Sequence, residues 1–157
     1  MPVRPAFPTS FLLAALLAAG ASAQKPTFEW QKRTASVDYG SVPVGKHSIA
    51  ELPVGGSWRL GANQATVLRL AMPAIVGETV LAPGAYTVQL QRTGEVACSL
   101  VSGDGVRIDG PLAKAAKPTK KLVIDWLKDG APKAASQAAK LVVQFGEHEW
   151  SGGMTFP

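Results

Sequence analysis

Hydrophobic and polar residues alternate along most of the chain after residue 65. In one such segment Leu122, Ile124 and Trp126 would share a face, with Val123 and Asp125 on the other. Because successive side chains of a β-strand point to opposite faces, a period of two predicts half-buried strands. The strands predicted in this way cover residues 66–72, 80–90, 95–101, 121–127, 140–145 and 149–156.

The remaining segments are less regular. Residues 36–39 could form an edge strand, whereas the rest of residues 27–54 has the pattern of a long, ordered loop. Residues 102–120 are rich in Gly, Asp, Pro, Ala and Lys, which predicts mostly loop, with residues 106–108 as a possible short strand. Residues 134–140 offer at most a helical turn. Short strands joined by Gly and Pro turns, without a long amphipathic helix, predict an all-β fold. We expect an antiparallel β-sandwich or partly closed barrel with a long N-terminal loop segment.

The first 23 residues have the pattern of a cleavable signal peptide. Arg4 precedes an apolar run from Phe11 to Ala19, and small residues at Ala21 and Ala23 fit the positions that a signal peptidase recognises. The run is about ten residues, which is shorter than the ~20 needed to span a bilayer. No cysteine stands directly after the run, so a lipid-modified amino terminus is not predicted. We therefore predict cleavage before Gln24, export to the periplasm or the extracellular space without a transmembrane anchor, and a single domain over residues 24–157.

Charge and cysteine content narrow the classes of partner. The chain has a formal net charge of +5, to which the predicted signal peptide contributes Arg4 alone. One stretch concentrates lysines, at positions 114, 117, 120 and 121, but no aromatic residues are interleaved with them as in nucleic-acid grooves. We predict a solvated loop there and no nucleic-acid partner. Cys98 is the only cysteine, so the chain has no intramolecular disulfide, and its alternating apolar neighbours place it in the core.

A series of motifs in the first half of the chain carries a resemblance to a known family. The motifs are Tyr39-Gly40, Gly45-Lys46, Leu52-Pro53-Val54 and Trp58-Arg59-Leu60-Gly61-Ala62-Asn63-Gln64-Ala65-Thr66, in that order. This series resembles the DUF2911 family of exported bacterial proteins of unknown function, as does the Leu-Ala-Pro-Gly-Ala-Tyr-Thr-Val segment at residues 81–88. The likeness covers most of residues 36–157 and is poor over residues 102–120. Ser41-Val42 stand where an Arg-Pro pair is common in the family, and Gln64 stands in place of the usual glutamate.

The densest group of specific side chains is Trp58, Arg59, Asn63 and Gln64. A tryptophan beside a guanidinium and two amides can stack on a flat ligand and hydrogen-bond to its edges, as for a sugar or an acidic small molecule. A structural role is the alternative: Trp58 would cap the core, Arg59 would bond to backbone carbonyl groups or to Glu51, and residues 61–63 would form a turn. We take these four residues as the candidate ligand-binding surface.

Catalysis and metal binding find less support in the sequence. His47 and His148 are the only histidines, and neither accompanies a Gly-x-Ser-x-Gly motif. Glu147, His148 and Glu149 are adjacent, but His148 would point away from the two glutamates in a strand. We predict no catalytic residue, no metal site and no cofactor.

The sequence thus favours an exported, non-enzymatic β-sandwich module that binds a small molecule, a glycan or an envelope protein. Two alternatives remain. One is a small hydrolase or metal-assisted enzyme built around His148, and the other is a purely structural or interaction domain.

Overall fold

Alternating residues form the strands of a curled antiparallel sheet in the computed structural model, which describes residues 23–46, 48–133 and 135–157. Residues 1–22 of the predicted signal peptide lie outside the described residues, and so do His47 and Ala134. The strands are β1 Ala23–Gln24, β2 Thr27–Trp30, β3 Arg33–Gly40, β4 Ser57–Trp58, β5 Val67–Leu70, β6 Ala74–Val76, β7 Thr79–Leu81, β8 Gly84–Gly94, β9 Ala97–Ser102, β10 Arg107–Lys114, β11 Val123–Lys128, β12 Gln137–Phe145 and β13 His148–Phe156. Within the described residues the helical content is one 3₁₀ turn, Ile49–Glu51.

The main path of hydrogen-bonded neighbours runs β1-β3-β5-β8-β9-β10-β13-β12-β11. Off this path, β2 pairs with β3, β4 pairs with β8, and the β6–β7 hairpin joins β13 through Ile75 and Thr155. The sheet curls into a half-barrel with its apolar faces inside. The prediction of an all-β fold, with a partly closed barrel as one of its two forms, is therefore confirmed.

The two ends of the sheet meet at a seam between the segment after β3 and the start of β11. Pro43 bridges Lys121 in antiparallel fashion, and Leu122 N donates to Val42 O at 2.8 Å. Further along, Ile124 N donates to the Tyr39 hydroxyl at 3.1 Å. Trp126 N donates to the carboxylate of Asp125 at 2.8 Å. Alternate N–H groups of a strand point to the same edge, so these bonds occupy three successive donors on the outer edge of β11.

Trp150 lies at the centre of the core, where glycines make room for its indole ring. The ring is fully buried and its Nε1 donates to Cys98 O at 2.9 Å. A Cβ atom at Gly152 would lie 2.6 Å from this ring, and one at Gly110 would lie 1.8 Å from Ser151 O. Cys98 is buried beside it, as the sequence predicts.

Most strand predictions are confirmed, and four details are wrong. The predicted edge strand at residues 36–39 is part of β3, which pairs with β1 and β2 on one side and with β5 on the other. The irregular N-terminal segment is therefore confined to residues 41–56. In the 102–120 segment, the possible short strand at residues 106–108 is the start of the longer strand β10, whose Gly110, a poor strand former, allows the close approach of β13. Strand β12 begins at Gln137, before the predicted residue 140. Strand β9 begins at Ala97, so Val96, part of the strand predicted at 95–101, lies in the turn before it and is 69% exposed.

Candidate functional site

The Trp58–Thr66 motif folds as a short strand followed by a tight turn. Trp58 pairs with the buried Leu90 in β8, so both side chains face the inside of the half-barrel. Leu60, Gly61 and Asn63 then adopt left-handed backbone conformations, with φ of 57°, 92° and 69°. The hydroxyl of the buried Thr66 donates to Leu60 O and closes the turn.

The turn packs directly against the Tyr39-Gly40 motif. Ala62 N donates to Gly40 O at 3.2 Å. A Cβ atom at Gly61 would lie 2.3 Å from Gly40 O, and one at Gly40 would lie 2.1 Å from Ala62 O. Two of the motifs behind the family resemblance thus meet backbone to backbone, and their glycines are required by this close approach.

Arg92 holds the segment from residue 50 to residue 56 against the β8–β9 hairpin. Its guanidinium donates to the carbonyl oxygens of Ala50, Leu52, Gly94 and Glu95, with distances of 2.8 Å to Leu52 and Glu95. The backbone of Arg92 is both an acceptor and a donor: Gly55 N donates to Arg92 O at 2.7 Å, and Arg92 N donates to Gly56 O at 2.9 Å. Five N–H donors in a rigid fork suit a guanidinium for this role.

This fixed segment and the mouth of the half-barrel enclose a concavity of about 500 Å³. Its apolar and aromatic wall consists of Val42, Pro43, Ile49, Leu52, Trp58 and Phe145. Gly45, Ser48, Glu51 and Gly61 complete the lining among the described residues. The indole of Trp58 packs on the ring of Phe145 with 4.8 Å between ring centroids and an interplanar angle of 50°. The mouth of a β-barrel is a frequent place for a small-molecule pocket, and this volume is within the usual range for one.

The structure separates the four predicted ligand-binding residues. Trp58 is half-buried in the wall of the mouth cavity, the concavity just described. Arg59 and Asn63 are exposed and Gln64 is half-buried, and none of the three lines this cavity. No side-chain hydrogen bond or ion pair of Arg59 occurs within the described part of the chain. The structural role considered for Arg59, bonding to backbone carbonyl groups, is filled by Arg92 instead.

Sequence reasoning missed three residues that shape the cavity. The alternation predicts a strand position for Phe145 and nothing more, yet its ring lines the cavity in contact with Trp58. Arg92 carries no motif, so nothing in the sequence marks it as the residue that fixes the loop. Glu51 was considered only as a partner for Arg59, yet it lies in the cavity wall. The Leu52-Pro53 pair after Glu51 is the one local signal in the sequence, and the structure has a 3₁₀ turn ending at Glu51.

His148, the centre of the alternative enzyme hypothesis, does not line the mouth cavity. It is opposite Phe145 in the β12–β13 ladder, and its Nδ1 is buried without a hydrogen-bond partner in the described structure. Glu149 accepts a bond of 2.9 Å from Gln144 Nε2. Among residues 23–46, 48–133 and 135–157, no three His, Cys, Asp or Glu side chains are grouped so that they could hold a metal ion. His47 is outside those residues.

The pKa values of three titratable groups are shifted by their surroundings. Burial raises the pKa of Tyr39, and the nearby Asp125 carboxylate raises it further, although the hydrogen bond from Ile124 N has a lowering effect. Burial likewise raises the pKa of the Cys98 thiol, against a lowering by the Arg92 charge. The exposed Asp109 has a lowered pKa, mainly because the Ser99 hydroxyl donates to it and secondarily because of Arg107. None of these three groups lines the mouth cavity.

The fold and the cavity define the class of protein: an all-β half-barrel with an apolar concavity at its mouth. The chain belongs to the DUF2911 family, described as a protein of unknown function, whose model matches residues 21–129. The match begins earlier than the resemblance read from the sequence and ends before β12 and β13, so it does not include the last two strands. No curated protein and no solved structure matches the chain. In the described residues, no helix has the length and apolar character needed to cross a membrane.

Proposed function

We propose that the protein is an exported, non-enzymatic module that binds a small, largely apolar molecule in the mouth cavity. The observation that carries this proposal is the placement of Trp58, which the sequence selects as a ligand contact and which lies half-buried in the wall of a 500 Å³ concavity. A surface aromatic that is only half covered keeps apolar area available for a ligand.

The lining favours a small molecule over a glycan or an envelope protein. Six of the ten lining residues are apolar or aromatic, whereas a glycan needs many hydrogen-bonding groups. A protein partner would need a contact area of roughly 800 Å² on this chain, which is far larger than one cavity mouth. His148 does not line the cavity, which supports binding over hydrolysis.

The first experiment blocks the cavity without disturbing the fold. Gly45 is at the cavity edge and Gly103 is in a distant turn, and a Cβ atom at either position would meet nothing within 4 Å. Neither has a left-handed backbone. We expect the neutral fluorescent probe N-phenyl-1-naphthylamine to bind the wild type and Gly103→Phe equally. Gly45→Phe should bind it at least about tenfold more weakly, the equivalent of ~1.4 kcal/mol.

Two results would overturn the binding proposal. One is the absence of probe fluorescence with the wild-type protein, and the other is equal affinity of all three proteins. Trp58→Ala offers a second measurement, since loss of the indole should also reduce the affinity for the probe. Circular dichroism of each variant verifies that it is folded.

The export part of the proposal has its own test. If residues 1–23 are removed, the protein recovered from the periplasm or medium of a bacterial host should have the intact mass of residues 24–157. Replacing Leu13 and Leu16 by Asp should interrupt the apolar run and leave the full-length chain inside the cell. Recovery of uncleaved chain from the wild-type gene would contradict export by this route.

A further inference from the structure

A second concavity lies on the outer face of the sheet, where strands β2, β3, β5 and β8 run side by side. It has a volume of about 530 Å³ and shares no lining residue with the mouth cavity. We name it the outer groove. Its polar lining residues are Lys25, Thr27, Thr34, Ser36 and Arg69. The groove therefore presents hydroxyl groups and basic side chains, and no acidic side chain is among the described residues that line it.

Ser36 lies inside the outer groove with an unused hydroxyl group. It is directly opposite Thr27 of β2 on one side and Arg69 of β5 on the other. Its chain neighbours Ala35 and Val37 belong to the core, so the Ser36 side chain is on the outer face, yet Ser36 is only 5% exposed. The hydroxyl group makes no hydrogen bond with any other described residue. Because a polar group this well covered normally has a hydrogen-bond partner, we expect that partner to be a molecule in the groove.

Arg69 adds hydrogen-bond donors at a fixed position. Its Nε donates to the carboxylate of Asp38, which compensates the charge of the guanidinium and holds it in place on the outer face. The Nη1 and Nη2 groups of Arg69 make no hydrogen bond within the part of the chain that the structure describes. Together these two groups form one side of a planar fork that can donate to two oxygens of a carboxylate or phosphate. Arg69 therefore contributes donors for oxygen atoms and not an uncompensated charge.

Lys25 provides the uncompensated positive charge of the groove. It lies between β1 and β2, is exposed, and forms no ion pair with any described residue. The hydroxyl of Thr27 donates to the backbone oxygen of Lys25 at 3.2 Å, so this segment is tied to the start of β2. Besides Asp38, the acidic residue of these strands is Glu29, which is opposite Thr34 but is exposed and does not line the groove. Solvent and salt therefore screen its repulsion of an anion in the groove.

We infer that the outer groove binds an oxyanion, the carboxylate or phosphate group of a small polar molecule. The hydroxyl groups of Ser36 and Thr34 and the Nη groups of Arg69 donate to its oxygens. Lys25 supplies the opposite charge. Hydrogen bonds to a charged oxygen are about twice as strong as those between neutral groups, so these donors favour an anion over its neutral counterpart. This site is separate from the mouth cavity and goes beyond the function proposed for that cavity.

Three small probes test the charge and the shape of the ligand. Inorganic phosphate, acetate and acetamide are titrated into nitrogen-15-labelled protein at constant ionic strength, with chloride as the balancing ion, and the amide chemical shifts are followed. Acetamide has nearly the shape of acetate but no charge. We expect at least one oxyanion to cause saturable shifts at Lys25, Ser36 and Arg69, with a Kd of roughly 10 mM or tighter. Acetamide should bind at least about fivefold more weakly, and the tighter of the two anions identifies the oxyanion that the groove prefers.

Ser36→Ala and Lys25→Gln test the two residues that carry the inference, each with a matched control. Ser57 is an exposed serine of β4 and Lys117 is an exposed lysine after β10, and neither lines the groove. We expect Ser36→Ala to weaken binding of the preferred oxyanion at least about fivefold, and Lys25→Gln to weaken it about two- to fivefold. Ser57→Ala and Lys117→Gln should bind it as the wild type does. Unchanged amide spectra of β12 and β13 verify that each variant is folded.

The inference is wrong if both oxyanions bind the wild type no more tightly than acetamide does. It is also wrong if the wild type and either Ser36→Ala or Lys25→Gln have equal affinity for the preferred oxyanion. These outcomes are independent of the proposed function, because the two sites share no lining residue and the titration does not use the fluorescent probe of the mouth cavity. Failure of one site therefore leaves the test of the other unaffected.

Discussion

At the scale of single residues, the Trp58–Thr66 motif has two roles. Its Trp58 side chain lines the cavity, and its Gly61 allows a close backbone contact with Gly40. Gly61 has φ of 92° and its Cα is packed against the carbonyl oxygen of Gly40. An alanine at this position would combine a left-handed backbone with a contact of 2.3 Å to a backbone atom. Neither the turn nor β3 can move away easily, because Thr66 and Ala62 bond each side of the contact.

We expect Gly61→Ala to lower the free energy of unfolding by about 2–5 kcal/mol, measured by urea denaturation. The left-handed backbone alone accounts for ~1–2 kcal/mol of this and the steric contact for the rest. Gly103→Ala is the control, since a Cβ atom there meets open space, and it should change stability by less than about 0.5 kcal/mol. An unfolding free energy of Gly61→Ala equal to that of the control would refute the backbone contact.

The sequence predicted the turn in this motif, but not which of its side chains line the cavity or what its glycines contact. Left-handed Asn63 and Gly61 agree with the turn that their residue types suggested. Of the four residues grouped by the sequence, Trp58 alone lines the mouth cavity, since strand β4 ends at Trp58 and Arg59 follows outside it. The contact between Gly40 and Gly61 could not be predicted, because it depends on a spatial approach between motifs 21 positions apart that only the assembled sheet provides.

At the scale of elements, the segment of residues 48–56 has little secondary structure of its own and depends on Arg92. Its internal support is one 3₁₀ turn, in which Glu51 N donates to Ser48 O and Leu52 N donates to Ile49 O. The guanidinium of Arg92 adds bonds to the carbonyl oxygens of Ala50 and Leu52. Arg92, a residue of strand β8, therefore fixes the position of the segment that forms one wall of the mouth cavity.

We expect Arg92→Lys to reduce the free energy of unfolding by about 1–3 kcal/mol, because an ammonium group keeps the charge but cannot span four carbonyl oxygens. Hydrogen exchange of the Glu51 and Leu52 amides should become faster while the β12–β13 amides remain protected. Arg107→Lys provides the control, since the Arg107–Asp109 ion pair is exposed and contributes little. Unchanged exchange at Glu51 and Leu52 would show that the segment does not depend on Arg92.

Strand prediction failed at places where tertiary packing outweighs local pattern. Strand β10 contains Gly110 and Pro111, both of which are poor strand formers, yet its Gly110 is needed for the close approach of β13. Strand β12 extends to Gln137, whose amide donates to Gly130 O and Ala138 O. Strands with clear alternation, such as β13, were located within one residue.

At the scale of the whole molecule, closure of the half-barrel depends on a few bonds at the seam. The hydroxyl of the buried Tyr39 accepts from Ile124 N. Since burial raises the pKa of this hydroxyl above its ordinary value of 10.0, the folded protein holds the proton more tightly than the unfolded chain does. Stability contributed by Tyr39 is therefore complete below pH 10 and is lost as the pH rises further.

We expect Tyr39→Phe to be less stable than the wild type by about 1–3 kcal/mol at pH 8, because Ile124 N loses its acceptor. The difference between the two proteins should shrink above pH 10, where the wild type alone suffers ionisation of Tyr39 in the unfolded state. Urea denaturation of both proteins at pH 8 and at alkaline pH gives this difference directly. Because every other titrating group is common to the two proteins, a constant difference across that range would contradict the raised pKa.

The seam also has a consequence for the order of folding. Its bonds join residues far apart in the chain: 81 positions separate Ser41 from Leu122, 85 separate Tyr39 from Ile124, and 100 separate Pro26 from Trp126. Contacts of such long sequence separation carry a large loop-closure entropy and form slowly. Val42 and Pro43 line the mouth cavity and also form the seam, so the cavity is completed only when the two ends of the sheet meet. A chain released from translation before residue 122 therefore lacks the complete cavity, and the probe binding proposed for it should return during refolding with the slowest phase of barrel assembly.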